Sequence, residues 1–221
     1  MSAILACESL SCVRDGWNPS HPSRVEGVSA AFHQGGVTGV TGPDGCGKGL
    51  LLNLLGLLER PDSGRVFLDG ERVDGLAPHD LREVRNQNFG FVFSQRALLP
   101  AFTVAENVAM PLFRIRGDDP AQARERTIGV LDFCGISSYS GELADRIPEE
   151  AQNLVPLARA LVHGPRILVA IRPKGSPLLL ECAARAARAF HLCVLWADEE
   201  THLAPFADRL VRLRDGKLLP D

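Results

Sequence analysis

The sequence predicts an α/β protein built on a mostly parallel sheet, with a block of helices inserted in its middle. Three observations carry this. Short apolar runs of strand length recur at residues 37–41, 89–93, 167–171 and 192–196. Strands that alternate with helical stretches belong to parallel sheets, because each parallel crossover is a covering helix. Between residue 101 and about residue 162 the pattern is mainly helical, with Pro120 and Pro148 as helix boundaries.

The remaining elements follow in chain order. Residues 3–12 and 25–32 read as opening strands, the second with partial alternation, and residues 37–41 as a buried one. A glycine-rich turn then feeds an apolar helix over about residues 47–58. Pro61-Asp62-Ser63-Gly64 is a turn, residues 65–68 a strand, and Asp69-Gly70 a tight hairpin signal. A last hairpin spans residues 210–219 and turns at Asp215-Gly216.

Length and composition narrow the function classes. A chain of 221 residues holds one domain, or one two-lobed domain, and is too short for two full-sized enzymatic ones. Hydrophobic residues at 45% and charged residues at 23% exclude long disorder. A net charge of -3 excludes a general attraction to nucleic acid or anionic lipid. The longest apolar run, residues 50–58, is broken by Asn53 and Gly56 and falls far below the roughly 20 residues of a membrane span. Ile4-Leu5-Ala6-Cys7 has the form of a lipoprotein cleavage box. It lacks the basic start and apolar stretch of a secretion signal, so it reads as the first strand. The six cysteines (Cys7, Cys12, Cys46, Cys134, Cys182, Cys193) show no C-x-x-C spacing, and buried reduced thiols of a cytosolic protein are expected.

The chemistry starts at Gly42-Pro43-Asp44-Gly45-Cys46-Gly47-Lys48-Gly49, with Leu50 following. A glycine-rich loop between a strand and a helix lets successive backbone N–H groups converge on a phosphate. The helix N-terminus adds partial positive charge, and the lysine reaches the outer phosphates. The pattern G-x-x-x-x-G-K-[ST] is met in seven of eight positions. Position eight is Gly49, where a magnesium-binding hydroxyl belongs.

Together with further stretches, this loop resembles the ATP-binding cassette (ABC) transporter ATPases, especially the branch serving lipoprotein release and macrolide export. The stretches are Val28-Ser29, Leu51-Leu52-Asn53-Leu54-Leu55-Gly56, Arg60-Pro61-Asp62-Ser63-Gly64, Asp69-Gly70, Gly90-Phe91-Val92-Phe93 and Leu98-Leu99-Pro100. Glu106-Asn107-Val108-Ala109-Met110-Pro111-Leu112, Ala158-Arg159-Ala160-Leu161-Val162 and Arg212-Leu213-Arg214-Asp215-Gly216 complete them. The resemblance implies a P-loop NTPase fold over residues 1–221, with a RecA-like core, a small antiparallel β lobe and a helical lobe at about residues 96–162. It also implies ATP as ligand, a transmembrane permease, a second cassette, and a cytoplasmic place on the inner face of the membrane through those partners. Nucleic acid is not an expected partner.

The same resemblance locates the catalytic parts, and here the sequence departs from the family. Where the family's strand runs into Asp-Glu, Ile171 stands for the metal-binding Asp and Arg172 for the Glu that polarises water. Magnesium prefers hard oxygen ligands, so it is left without both protein anchors. An arginine cannot accept a proton. Ser94 takes the position of the γ-phosphate-sensing Gln, with Gln95 one place late and restored only by a local bulge. The L-S-G-G signature falls on Ile147-Pro148-Glu149-Glu150. Each carboxylate there repels a facing phosphate by about 4 kcal/mol per unit-charge pair at ~4 Å and an effective dielectric near 20. Glu199 occupies the place of the switch His, with His202 three residues on. The adenine-stacking position falls near Arg14, with Trp17 a displaced candidate.

The expectation is a cassette subunit that keeps its shape and a phosphate cradle but lacks hydrolysis. It would be a structural or regulatory pseudo-ATPase that holds a membrane subunit by the groove around residues 98–108. Two alternatives stay open. One is an active transporter ATPase with relocated residues, exporting lipoprotein, lipid or drug; the other is an ATP or ADP sensor that binds without hydrolysis.

Overall fold

Two sheets divide the chain between them in the computed structural model, which describes residues 3–14, 23–93, 96–171 and 177–220. The smaller sheet is antiparallel, in the order β2 (Ser23–Phe32), β1 (Leu5–Arg14), β4 (Ser63–Leu68), β5 (Glu71–Arg72). The larger has six strands, β10 (Lys217–Leu218), β9 (Arg209–Arg214), β3 (Gly36–Thr41), β8 (Cys193–Ala197), β7 (Ile167–Ile171) and β6 (Phe89–Phe93). All its pairings are parallel except β9 with the final strand β10. The anticipated α/β architecture on a mostly parallel sheet is therefore present.

The central strands are continuous apolar runs because both of their faces are covered. Side chains alternate across a strand, and the two hydrophobic clusters record that alternation. Leu168, Ala170, Val194 and Trp196 join the cluster beneath α5 (Glu149–Leu161) and α6 (Pro177–Ala189). Ile167, Val169, Cys193, Leu195 and Ala197 face the cluster shared by α1 (Lys48–Leu55) and the antiparallel sheet.

Helix α1 buries five leucines and stops three residues short of the predicted Leu58. Gly56 ends it, and Leu57 turns left-handed at φ 58°. Helix α2 (Pro78–Asn88) and α6 had no counterpart in the sequence reading. Leu81 is the one buried residue of α2, so it offers no apolar stripe to detect. Helix α6 is detectable mainly as a run of small residues, with four of its five alanines buried.

The inserted helices are α3 (Val104–Pro111), α4 (Pro120–Cys134) and α5. Thr103 and Glu106 close a reciprocal capping box that fixes the start of α3. Pro120 opens α4 and Pro148 caps α5, as the sequence anticipates for both prolines. Pro111 and Pro156 instead lie inside helical segments, and Pro111 is followed by a π-helical turn over Leu112–Arg116. A short helix α7 (Glu200–Leu203) follows β8. All six cysteines are free and buried. Among the described residues, no helix is long and apolar enough to cross a membrane.

Candidate functional site

The loop between β3 and α1 folds as a cradle because its glycines meet backbone on one side and open space on the other. A Cβ on Gly42 would lie 2.1 Å from the Leu213 carbonyl oxygen, and one on Gly47 would lie 2.1 Å from that of Arg24. Gly45, at φ 78°, faces open space instead. The result is a concavity of about 170 Å³ lined by Ser23, Pro43, Gly45, Cys46, Gly47, Lys48, Gly49 and Leu50. It lies at the N-terminus of α1, where unsatisfied N–H groups and the helix dipole favour an anion. Lys48 is buried, and its ammonium donates to the carbonyls of Gly42 and, at 3.1 Å, Pro43. The chemistry fits the phosphates of a nucleotide.

It does not fit a divalent cation. The position of a Cβ on Gly49 lies 3.9 Å from Ile171 Cγ2, so the two positions at which the resemblance leads one to expect metal ligands are in contact. One has no side chain and the other is a hydrocarbon. Among the described residues, no group of three or more His, Cys, Asp or Glu is arranged to hold a metal. Ser94, Gln95, Arg172 and Trp17 lie outside the described residues.

Ile171 is level with Phe93 and Ala197, so β6, β7 and β8 end together beside the cradle. Beyond β8 comes Asp198, whose N–H donates to Val40 O at 3.3 Å and whose Oδ1 accepts from the Glu199 N–H at 2.8 Å. His202 Nδ1 lies 3.3 Å from the same oxygen. Glu199 therefore caps α7, and His202 lies one turn later on an exposed face. The sequence reading passed over Asp198 because no motif names that position. Its place past a strand end, at the carboxyl edge of a parallel sheet, is where α/β folds bind ligands.

On the signature side, Pro148, Glu149 and Glu150 open α5. Carboxylates in a first turn complement the helix dipole, so this terminus already carries its own anions. Arg96 was not picked out from sequence, yet it holds this turn in place. Its guanidinium donates at 2.6 Å to Glu149 and at 2.6 Å to Gln152. Arg159 in turn donates to the backbone carbonyls of Ala97 and Arg96. Such contacts span more than fifty residues, and no local pattern announces them. Arg96 also offsets part of the repulsion that Glu149 would exert on a phosphate. Arg14 is committed elsewhere, to Glu59 at 3.1 Å and Asp62 at 2.8 Å.

A match to the ABC transporter family covers residues 25–170. The chain belongs to the ABC transporter family. Among its relatives is the lipoprotein-releasing system ATP-binding protein LolD of Bordetella avium strain 197N, 34% identical over all of this chain and 97% of that protein. LolD 1 of Rhodopseudomonas palustris is 33% identical over 93% of this cassette and 95% of its own length. The anticipated likeness to the lipoprotein-release branch holds. In fold, the cassette superposes on the dimeric bacterial ABC transporter cassette MJ0796 with a TM-score of 0.84 at 23% identity, over 98% of this chain and 97% of that one.

Proposed function

We propose that this cassette is a hydrolysis-deficient subunit of a membrane transporter complex, serving a structural or regulatory role. The observation that carries the reading is the 3.9 Å approach of Ile171 Cγ2 to the Cβ position of Gly49. Two positions that would grip magnesium meet there without one oxygen between them, and Glu149 and Glu150 oppose phosphate on the other face. A permease and a second cassette are the partners, and they place the chain on the cytoplasmic face of the membrane. An apolar groove of about 530 Å³, lined by Phe102, Ala105, Met110, Phe113 and Ile128 among others, supports the permease contact.

The test is phosphate release from magnesium-ATP by the purified chain. No turnover above background is expected, and turnover abolished by Lys48→Ala overturns the proposal. A second reading, an active ATPase, draws on the 3.3 Å contact between Asp198 and His202 beside the cradle. It requires phosphate release that disappears in Asp198→Asn. A third, nucleotide sensing, draws on the cradle itself, and titration with ATP and ADP in magnesium or chelator separates the three. Metal-independent binding supports the sensor, metal-dependent binding the enzyme, and absence of binding the scaffold.

A further inference from the structure

Two of the six buried cysteines meet where the inserted helices adjoin the helix that covers the six-stranded sheet. Cys134 is the last residue of α4, which Gly135 ends in a left-handed turn at φ 72°. Cys182 lies on the buried face of α6, in the same apolar cluster. The two thiols are hydrogen-bonded to each other, Cys134 donating and Cys182 accepting. Cys7 and Cys12 donate instead to the backbone carbonyls of Val28 and Arg60.

Arg185 gives the pair its chemistry. It follows Cys182 by one turn of α6, and its Nη2 lies 3.7 Å from Cys182 Sγ. The same nitrogen donates to the Phe133 carbonyl, and the guanidinium stands 4.8 Å over the Phe133 ring, which packs on Phe190. These contacts hold the cation beside the sulfur. Arg185 is exposed, so the sulfur it touches lies one side chain below the surface. The hydrogen bond from Cys134 holds the Cys182 thiol below the ordinary cysteine range; Arg185 adds to this, while burial and the Glu181 charge oppose it. Burial pushes Cys7 up to about 11 and Cys193 up to about 12. The thiolate is the reactive form of cysteine, so Cys182 is the nucleophile and Cys134 the thiol placed to attack it in turn.

We propose that Cys134 and Cys182 form a modification site, at which hydrogen peroxide makes a reversible disulfide between α4 and α6. The Cys182 thiolate attacks one peroxide oxygen and the O–O bond breaks. Hydroxide leaves and is protonated to water, and Cys182 becomes a sulfenic acid. Cys134 sulfur then attacks Cys182 sulfur; the S–O bond breaks, and the departing hydroxide takes the Cys134 proton as a second water. The two thiols have then passed two electrons to the peroxide. The bond would tie the inserted helices to the sheet, and a thiol reductant would release them. Neither cysteine lines the phosphate cradle, so the site does not depend on whether the cassette hydrolyses ATP.

The test treats the folded full chain with hydrogen peroxide, alkylates the remaining thiols in denaturant and maps the digest by mass spectrometry. The expected result is a crosslinked peptide joining Cys134 to Cys182, about 2 Da lighter than the two reduced peptides together. The other four cysteines should be alkylated, and dithiothreitol should reverse the crosslink. Cys134→Ser should leave Cys182 as a sulfenic acid that dimedone labels, whereas Cys182→Ser should leave Cys134 alkylated. A thermal melt establishes that each variant folds; if either does not, the map of the unaltered chain decides. Six alkylated cysteines after peroxide, a crosslink joining any other pair, or oxidation spread evenly over the six overturns the proposal.

Discussion

Restoring the two missing oxygen positions should create magnesium dependence only when both are changed together. A side chain at position 49 meets Ile171 Cγ2 at 3.9 Å, an ordinary contact, so Gly49→Ser is accommodated without displacement. It replaces a helical glycine and gains about 0.5 kcal/mol of propensity. Its hydroxyl would face a hydrocarbon, so the single change should alter ATP affinity in magnesium by no more than about twofold, well below the 1.4 kcal/mol of a tenfold effect. Ile171→Asp alone removes a half-buried aliphatic chain at a strand end and costs about 1–2 kcal/mol of stability. It supplies one carboxylate and no hydroxyl. The double variant brings both together, the pair from which magnesium draws its protein ligands in phosphate-loop enzymes. A coupling of about 1.4 kcal/mol, tenfold in ATP affinity beyond the product of the single effects, is expected for groups in direct contact. The assay is equilibrium titration of a fluorescent ATP analogue in magnesium and in chelator, with a thermal melt of each variant to establish folding. No hydrolysis should accompany the gain, because Arg172 and the carboxylates at the start of α5 remain. Tenfold magnesium enhancement in the unaltered chain, or additive behaviour in a folded double variant, would refute the argument.

Other substitutions probe the framework. Gly47→Ala forces a Cβ to within 2.1 Å of the Arg24 carbonyl oxygen at φ 101°, and should cost about 3 kcal/mol or more, read as a melting point lower by roughly 6–12 °C. Arg96→Ala removes the contacts to Glu149 and Gln152; it should cost about 0.5–1 kcal/mol and speed amide exchange in the first turn of α5. Asp69 bonds Arg166 at 2.6 and 2.8 Å, which holds its carboxyl below the ordinary range against the effect of burial. A depressed native pKa stabilises above the unfolded value near 3.9 and is lost as pH falls through the folded one. Asp69→Asn keeps a residue type that tolerates the φ of 51° here. Its deficit, about 0.5 kcal/mol for so exposed a pair, should be constant from pH 5 to 8 and close below pH 4 in urea melts.

How far the sequence carries this protein depends on the range over which each signal acts. Strands such as β7 and β8 are legible because burial on both faces demands an unbroken apolar run. The turn at Asp69-Gly70 is legible because both residues adopt positive φ, which few other pairs tolerate. Helix α2 is not, since a helix lying on the surface with one buried leucine carries no apolar period. The loop from Gly42 to Gly49 is legible as a glycine-rich turn that opens a helix, because Gly42, Gly45 and Gly47 adopt positive φ values that glycine alone takes freely. Arg96 and Arg159 are not, because each acts through partners reached only after folding, and Asp198 is not because no motif names its position. For Arg96, the nearest partner is fifty-three residues away.

The retained glycines bear unequally on nucleotide binding. Gly42 and Gly47 are required by packing, since backbone carbonyls lie where their side chains would begin. Lys48 satisfies carbonyls of its own loop. These three would persist in a cassette that never met a nucleotide. Gly45 differs: its φ of 78° demands a residue tolerant of the left-handed region, yet nothing lies within 4 Å of its Cβ position. Asparagine tolerates that conformation better than other side chains, at a cost of about 1 kcal/mol. Gly45→Asn should therefore melt within about 4 °C of the unaltered chain while placing an amide in the concavity where a phosphate would sit. Loss of ATP binding in the folded variant makes the cradle a working site. Binding that survives it would mean that the loop is kept for its shape alone and that nucleotide is held elsewhere.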